Sequence, residues 1–174
     1  MPQLILNALG PDRPGIVGQF TGHLHAAGAN VLDSRMVNLR GQFAMVMLVA
    51  GSESAMARLH DGLGTLRRGS NLHAELRPAD AGGFRRTPAL PFRLNTWAMD
   101  HPGLMQSVSH LLGELGVNIE SADSSLRPAP YTNTPLFEME LVLSVPAETH
   151  VAELREKLGG LCDEMNIDWQ LTAL

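Results

Sequence analysis

Asp12-Arg13-Pro14-Gly15-Ile16-Val17 and Asp100-His101-Pro102-Gly103-Leu104-Met105 are one short phrase written twice, 88 residues apart. The same offset, without a gap, carries Leu6-Asn7 onto Leu94-Asn95 and Gly28-Ala29-Asn30-Val31 onto Gly116-Val117-Asn118-Ile119. Further on, Phe43-Ala44-Met45-Val46-Met47 aligns with Phe137-Glu138-Met139-Glu140-Leu141 at an offset of 94, so the second copy gains six residues between its second and third elements. Four blocks kept in one order mark an internal repeat. The chain therefore reads as two copies of one domain, residues 1–78 and 91–174, with a linker over 79–90 that holds Gly82-Gly83.

Within each copy the apolar period runs strand, helix, strand, strand, helix, strand. Copy one opens on the short apolar run Gln3–Leu9, ended by Gly10-Pro11. Ile16, Phe20, Leu24 and Ala27 then recur at helical spacing and Gly28 stops the helix. Asn30–Leu39 and Gln42–Val49 flank the turn pair Arg40-Gly41. Met56, Leu59, Leu63 and Leu66 give a second helix ended by Gly69, and Leu72, Ala74 and Leu76 alternate as a closing strand. In copy two Phe92, Leu94, Thr96 and Ala98 mark the first strand, and Phe137, Met139, Leu141, Leu143 and Val145 the third. Its helical stripes are Leu104, Val108, Leu111, Leu115 and Leu154, Leu158, Leu161, Met165; Ile167, Trp169 and Leu171 line the last strand. This order predicts an α+β protein of two tandem ferredoxin-like βαββαβ domains, each a four-stranded antiparallel sheet with two helices on one face. A sheet face left bare on so small a domain predicts pairing, and a homodimer is expected.

Composition narrows the function classes. The 174 residues are 44% hydrophobic and 18% charged, which suits folded domains rather than a disordered chain. No apolar run reaches the roughly 18 residues of a membrane helix. The opening Met1–Leu6 lacks a basic region and a cleavage site, so a cytoplasmic protein without membrane partners is expected. The single Cys162 excludes an intrachain disulfide and a cysteine-based zinc site. Residues 1–87 carry nine Arg against six acids, and residues 88–174 four basic residues against twelve acids. Neither half offers the basic face that nucleic acid requires, so no direct nucleic-acid contact is expected.

The repeated phrase sits where strand one hands over to helix one. There proline presets φ for a first helical turn, glycine lets another group approach the backbone, and the free N–H groups of that turn suit a carboxylate. Asp12 and Asp100 are placed to cap the turn or meet an ammonium group, and Asn30 and Asn118 to add amides nearby. For one copy, helix starting explains Asp and Pro equally well. Two copies with a matching Asn further on weigh toward a ligand site.

These blocks resemble the ACT domain, a βαββαβ module that binds small effectors, often amino acids. The resemblance spans nearly the whole chain as two tandem copies. The absence of a catalytic domain and the longer loop Arg127–Pro135 resemble the glycine cleavage system transcriptional repressor family. It implies ligand contact at the strand-one to helix-one loop and the start of strand two, across a domain interface. That places Asn7, Asp12, Arg13, Pro14, Gly15, Ile16, Asn30 and Val31 at one site, and Asn95, Asp100, His101, Gly103, Leu104, Asn118 and Ile119 at the other. Arg13 becomes His101, so the two sites differ in charge and one is expected to be vestigial. The resemblance further implies an amino-acid effector such as glycine and a DNA-binding activator as protein partner.

Other constellations are weaker. His23 and His25 stand two apart on a helix and point in different directions, unlike a metal pair. His60, His73, His110 and His150 are scattered. Cys162 has no local base and reads as a buried thiol, and the methionines fall on the apolar stripes. No phosphate-binding or nucleophile motif occurs, so neither enzyme activity, nor a cofactor, nor a metal is expected. The leading expectation is a non-enzymatic amino-acid-sensing regulator of transcription. The alternative is an effector-binding regulatory subunit of an amino-acid metabolic enzyme. In the loop Arg127–Pro135, Tyr131 between three prolines reads either as a partner-docking lid or as a tolerated insertion.

Overall fold

The structure, a computed structural model, describes residues 1–79, 88–129 and 133–174. The chain divides into two compact units, Met1–Phe84 and Arg85–Leu174. Unit one contains β1 (Gln3–Pro11), α1 (Ile16–Ala27), β2 (Asn30–Leu39), β3 (Gln42–Ala50), α2 (Glu53–Ser70) and β4 (His73–Pro78). Unit two repeats the order with β5 (Ala89–Met99), α3 (Leu104–Glu114), β6 (Asn118–Pro128), β7 (Pro135–Pro146), α4 (Val151–Met165) and β8 (Asp168–Ala173). The sheets run β2-β3-β1-β4 and β6-β7-β5-β8, and every ladder is antiparallel. Strands β1 and β2 are therefore parallel to each other with β3 between them, the split βαβ arrangement.

Alternation sets the layers. In β1, Leu4, Leu6 and Ala8 are buried against the helices, whereas Ile5, Asn7 and Leu9 belong to the opposite, open face. All four residues of each predicted stripe in unit one, Ile16–Ala27 and Met56–Leu66, are buried. The hairpin turn is Arg40-Gly41 with φ 49° and 80°, the paired positive values of a two-residue turn that matches strand twist. Gly28 stops α1 in the left-handed conformation, and Arg58 from α2 closes that end by donating from Nε and Nη2 to the Ala27 carbonyl at 3.0 and 2.8 Å.

Several boundaries move. Helix α2 runs through Gly69 to Ser70 and ends on Asn71 at φ 59°, because asparagine tolerates the left-handed cap as glycine does. In α3 the fully buried residue is Leu112, with Leu111 and Leu115 only partly covered. The periodic reading chose the flanking leucines, since a 3–4 spacing through three nearly consecutive leucines fits either row. In α4 the third buried position is Cys162 rather than Leu161. The second-copy insertion is in part ladder: Arg127 pairs Leu136 and Pro128 pairs Pro135, which lengthens the β6–β7 hairpin. Its central residues, Tyr131 included, lie outside the described residues. So does most of the linker stretch, whose last residues from Ala89 belong to β5.

The α3 correction is measurable. Leu112→Ala is expected to lower stability by about 2–5 kcal/mol, and Leu111→Ala by less than half as much. Chemical denaturation of the full chain compares the two.

Candidate functional site

The repeated phrase builds one geometry twice. Pro14 and Pro102 stand before the helix, not at its first position; the helix N-caps are Gly15 and Gly103 at φ 89° and 101°. That left-handed conformation is what requires glycine. No atom lies within 4 Å of where a Cβ would stand on either glycine, so the approach to the backbone is open. The Gly15 carbonyl accepts from the Gln19 N–H at 2.9 Å, and the Gly103 carbonyl from the Ser107 N–H at 2.9 Å. The N–H groups of Ile16, Val17 and Gly18 have no acceptor within the helix and point out of its positive end.

The side chains of the phrase do other work than expected. Neither helix start receives a side-chain cap. Asp12 instead accepts from the Asn38 amide, and its N–H donates to the Gly41 carbonyl at 2.8 Å, which ties the loop to the β2–β3 hairpin. The Asp100 N–H repeats that tie to the Pro135 carbonyl at 3.2 Å. Arg13 donates from Nη2 to Gln19 Oε1 at 2.8 Å and to the Gly69 carbonyl at 3.1 Å, at the negative end of α2. Among the described residues His101 makes a local contact, Nδ1 to the Pro102 carbonyl at 3.1 Å. The side chains of Ile16 and Leu104 are core residues, so only their backbone N–H faces out. Val31 and Ile119 are half-buried against the two cores.

Register separates the rest. Asn30 pairs with Ala50, which pairs with Gln3, whereas Asp12 follows Pro11, the partner of Gln42. Within one unit, Asn30 and the helix-start loop thus lie at opposite ends of the sheet, about 26 Å apart at about 3.3 Å per residue. Asn118 shares a row with Ser144 and Pro91, and Asp100 follows Met99, which repeats the separation. The Asn118 amide donates to Glu120 Oε1 at 2.9 Å. Asn7 and Asn95 lie on the open sheet faces, away from the helices. The expected residues of one unit therefore do not converge, and the asparagines are not near the loop of their own copy.

One feature escaped the sequence reading. On the open face of unit two, Asn95, Trp97, Asp123, Arg127, Glu138 and Glu140 line an open hollow of about 550 Å³. Its signal was present in the repeat alignment, where Glu138 and Glu140 stand against Ala44 and Val46.

Among the described residues, no group of three or more His, Cys, Asp or Glu is placed to hold a metal. His23 packs its ring over Gly62 of α2, between the unit-one helices, while His25 is exposed. Burial, helped by Asp163, pushes the Cys162 thiol up to about 11. No helix among the described residues is long and apolar enough to cross a membrane.

Two outcomes follow from this geometry. Gly15→Ala and Gly103→Ala are each expected to destabilise by about 1 kcal/mol, a purely conformational loss read by thermal melting. Cys162 is expected to resist alkylation at pH 8 until the protein is unfolded. A thiol whose folded value is raised stabilises below its ordinary value, and that contribution is lost as pH rises towards 11. Fast labelling of the native protein would contradict this.

Comparisons with known proteins agree with the fold. Residues 2–76 match the family model described as ACT domain. Over 175 aligned residues, spanning 98% of this chain and 90% of the relative, the chain is 28% identical to proteins from Escherichia coli (strain K12) and Shigella flexneri named glycine cleavage system transcriptional repressor. The crystal structure of an unknown protein from Galdieria sulphuraria superimposes with a TM-score of 0.81 at 25% identity, covering 99% of this chain and 98% of that one. The first unit is thus similar to the ACT domain, the second unit carries the same fold, and the whole chain is similar to glycine cleavage system transcriptional repressors.

Proposed function

We propose that this protein is a non-enzymatic regulator that senses an amino acid and acts on transcription through a protein partner. The observation that carries the reading is the likeness over 98% of the chain to relatives named as transcriptional repressors of the glycine cleavage system. The two glycine-capped helix starts support it physically. Each offers unpaired N–H groups, a positive helix end and open space, the chemistry that holds an α-carboxylate.

In this reading the effector is a small amino acid such as glycine, held by the backbone around Gly15 and Ile16. Because Asn30 and Val31 stand at the far end of their own sheet, they reach such a site only when a second copy of the chain supplies them. A homodimer accords with that arrangement and with the apolar open face of unit one, where Leu9 is 55% and Val46 49% exposed. The second-unit site is the weaker one, since His101 stands where unit one has the Arg13 guanidinium beside the helix start. The acidic balance of residues 88–174 favours a DNA-binding protein as partner over DNA itself.

A ligand that binds only the native state raises its stability, by about 2.7 kcal/mol at a hundred times Kd. Glycine at millimolar concentration is therefore expected to raise the melting temperature, and Gly15→Val and Asn30→Ala to remove the rise. If none of the common amino acids shifts the melting of the parent protein, the sensing reading is wrong. Light scattering at tens of micromolar is expected to return the mass of a dimer.

A further inference from the structure

The open faces of the two sheets share a scaffold and carry different chemistry. Arg35, Val37, Leu39, Ala44, Val46 and Leu9 of unit one are replaced at equivalent positions by Asp123, Ser125, Arg127, Glu138, Glu140 and Trp97. The fold evidently does not need these charges, since unit one builds the same sheet with Val, Leu and Ala.

In unit two they work against the sheet. Asp123 is directly opposite Glu140, and Glu140 directly opposite Asn95; in the next row Ser125, Glu138 and Trp97 face one another. Like charges directly opposite on neighbouring strands repel. The cations nearby relieve this only in part. Arg127 Nε lies 3.4 Å from Glu138 Oε2 and 3.2 Å from Ser125 Oγ, and Arg93 Nε lies 3.7 Å from Glu140 Oε1. Asp123 has no ion pair or hydrogen bond among the described residues. The hollow of about 550 Å³ thus sets three carboxylates against the Arg127 guanidinium and the Arg93 guanidinium beside Glu140, an excess of one negative charge, with an indole on its wall.

We propose that this hollow binds a small organic cation, an ammonium or guanidinium group on a flat or apolar body. Asp123 and Glu140 neutralise the charge, Trp97 stacks on the body and attracts the cation through its ring face, and Asn95 accepts a further N–H. A free anion is disfavoured by the carboxylate excess. The site is separate from the helix-start loop and does not rest on the amino-acid-sensing reading.

Isothermal titration of the full chain with agmatine, arginine and glycine tests it. Agmatine is expected to bind saturably and glycine to leave this face empty. Asp123→Asn with Glu140→Gln is expected to weaken agmatine at least about tenfold, and Trp97→Leu, which installs the residue type of unit one, severalfold. Gly15→Ala and Asp12→Asn are expected to leave agmatine affinity unchanged, which keeps this result distinct from the fate of the loop site. No saturable heat up to 10 mM agmatine, about the weakest affinity worth calling a site, would overturn the proposal. So would binding that ignores the double substitution, or that responds to salt but not to Trp97→Leu, since that is unspecific charge attraction.

Discussion

Strands β1 and β2 run parallel with β3 hydrogen-bonded between them, and most of what this molecule can do follows from that pairing. Because β1 is bonded on both sides, it is the rigid centre of its sheet, and the loop that leaves its end is fixed in place. The same pairing sends the start of β2 back to the opposite end. A helix start and an asparagine that look like neighbours in the sequence are thereby held about 26 Å apart. No small ligand can touch both within one unit. The separation is set by the ladder register, so no side-chain change within one unit can remove it.

The fold was readable because helical stripes and alternating strands agree in each copy, and in the first copy punctuation by Gly28 and Arg40-Gly41 agrees with both. The failures were local. Leucine runs such as Leu111-Leu112 leave the rotation of a helix open by one residue, and only packing against the sheet chooses Leu112. The cap at Asn71 was missed because glycine at Gly69 is the commoner stop signal.

The candidate site was legible in part. Glycine at Gly15 and Gly103 follows from a backbone conformation, and a repeat preserves what the backbone requires. The side-chain roles were not legible. Asp12 and Arg13 have the chemistry of ligand contacts, yet tertiary neighbours claim both: Asn38 from a hairpin and Gly69 from a helix end 56 residues away. Sequence spacing carries no information about such partners. The hollow on unit two was missed for the opposite reason. Its residues come from three strands and acquire meaning only when register places Asp123, Glu140 and Asn95 in one row.

Duplication explains how one chain holds both kinds of surface. Once two copies share a fold, the helix-facing positions of each remain bound by their own cores, as the conserved alternation of Met45, Met47 with Met139, Leu141 illustrates. The open faces carry no such obligation, and they have diverged in opposite directions. In unit one, Leu9, Val37, Leu39 and Val46 make an apolar stripe that gains free energy, at about 25 cal/mol per Å², when another surface covers it. In unit two the matching row is charged, so covering it with an apolar surface would strand carboxylates that water now solvates. A partner or second copy therefore cannot treat the two faces as interchangeable. The physical asymmetry leaves the first face suited to a protein contact and the second to a soluble, positively charged ligand.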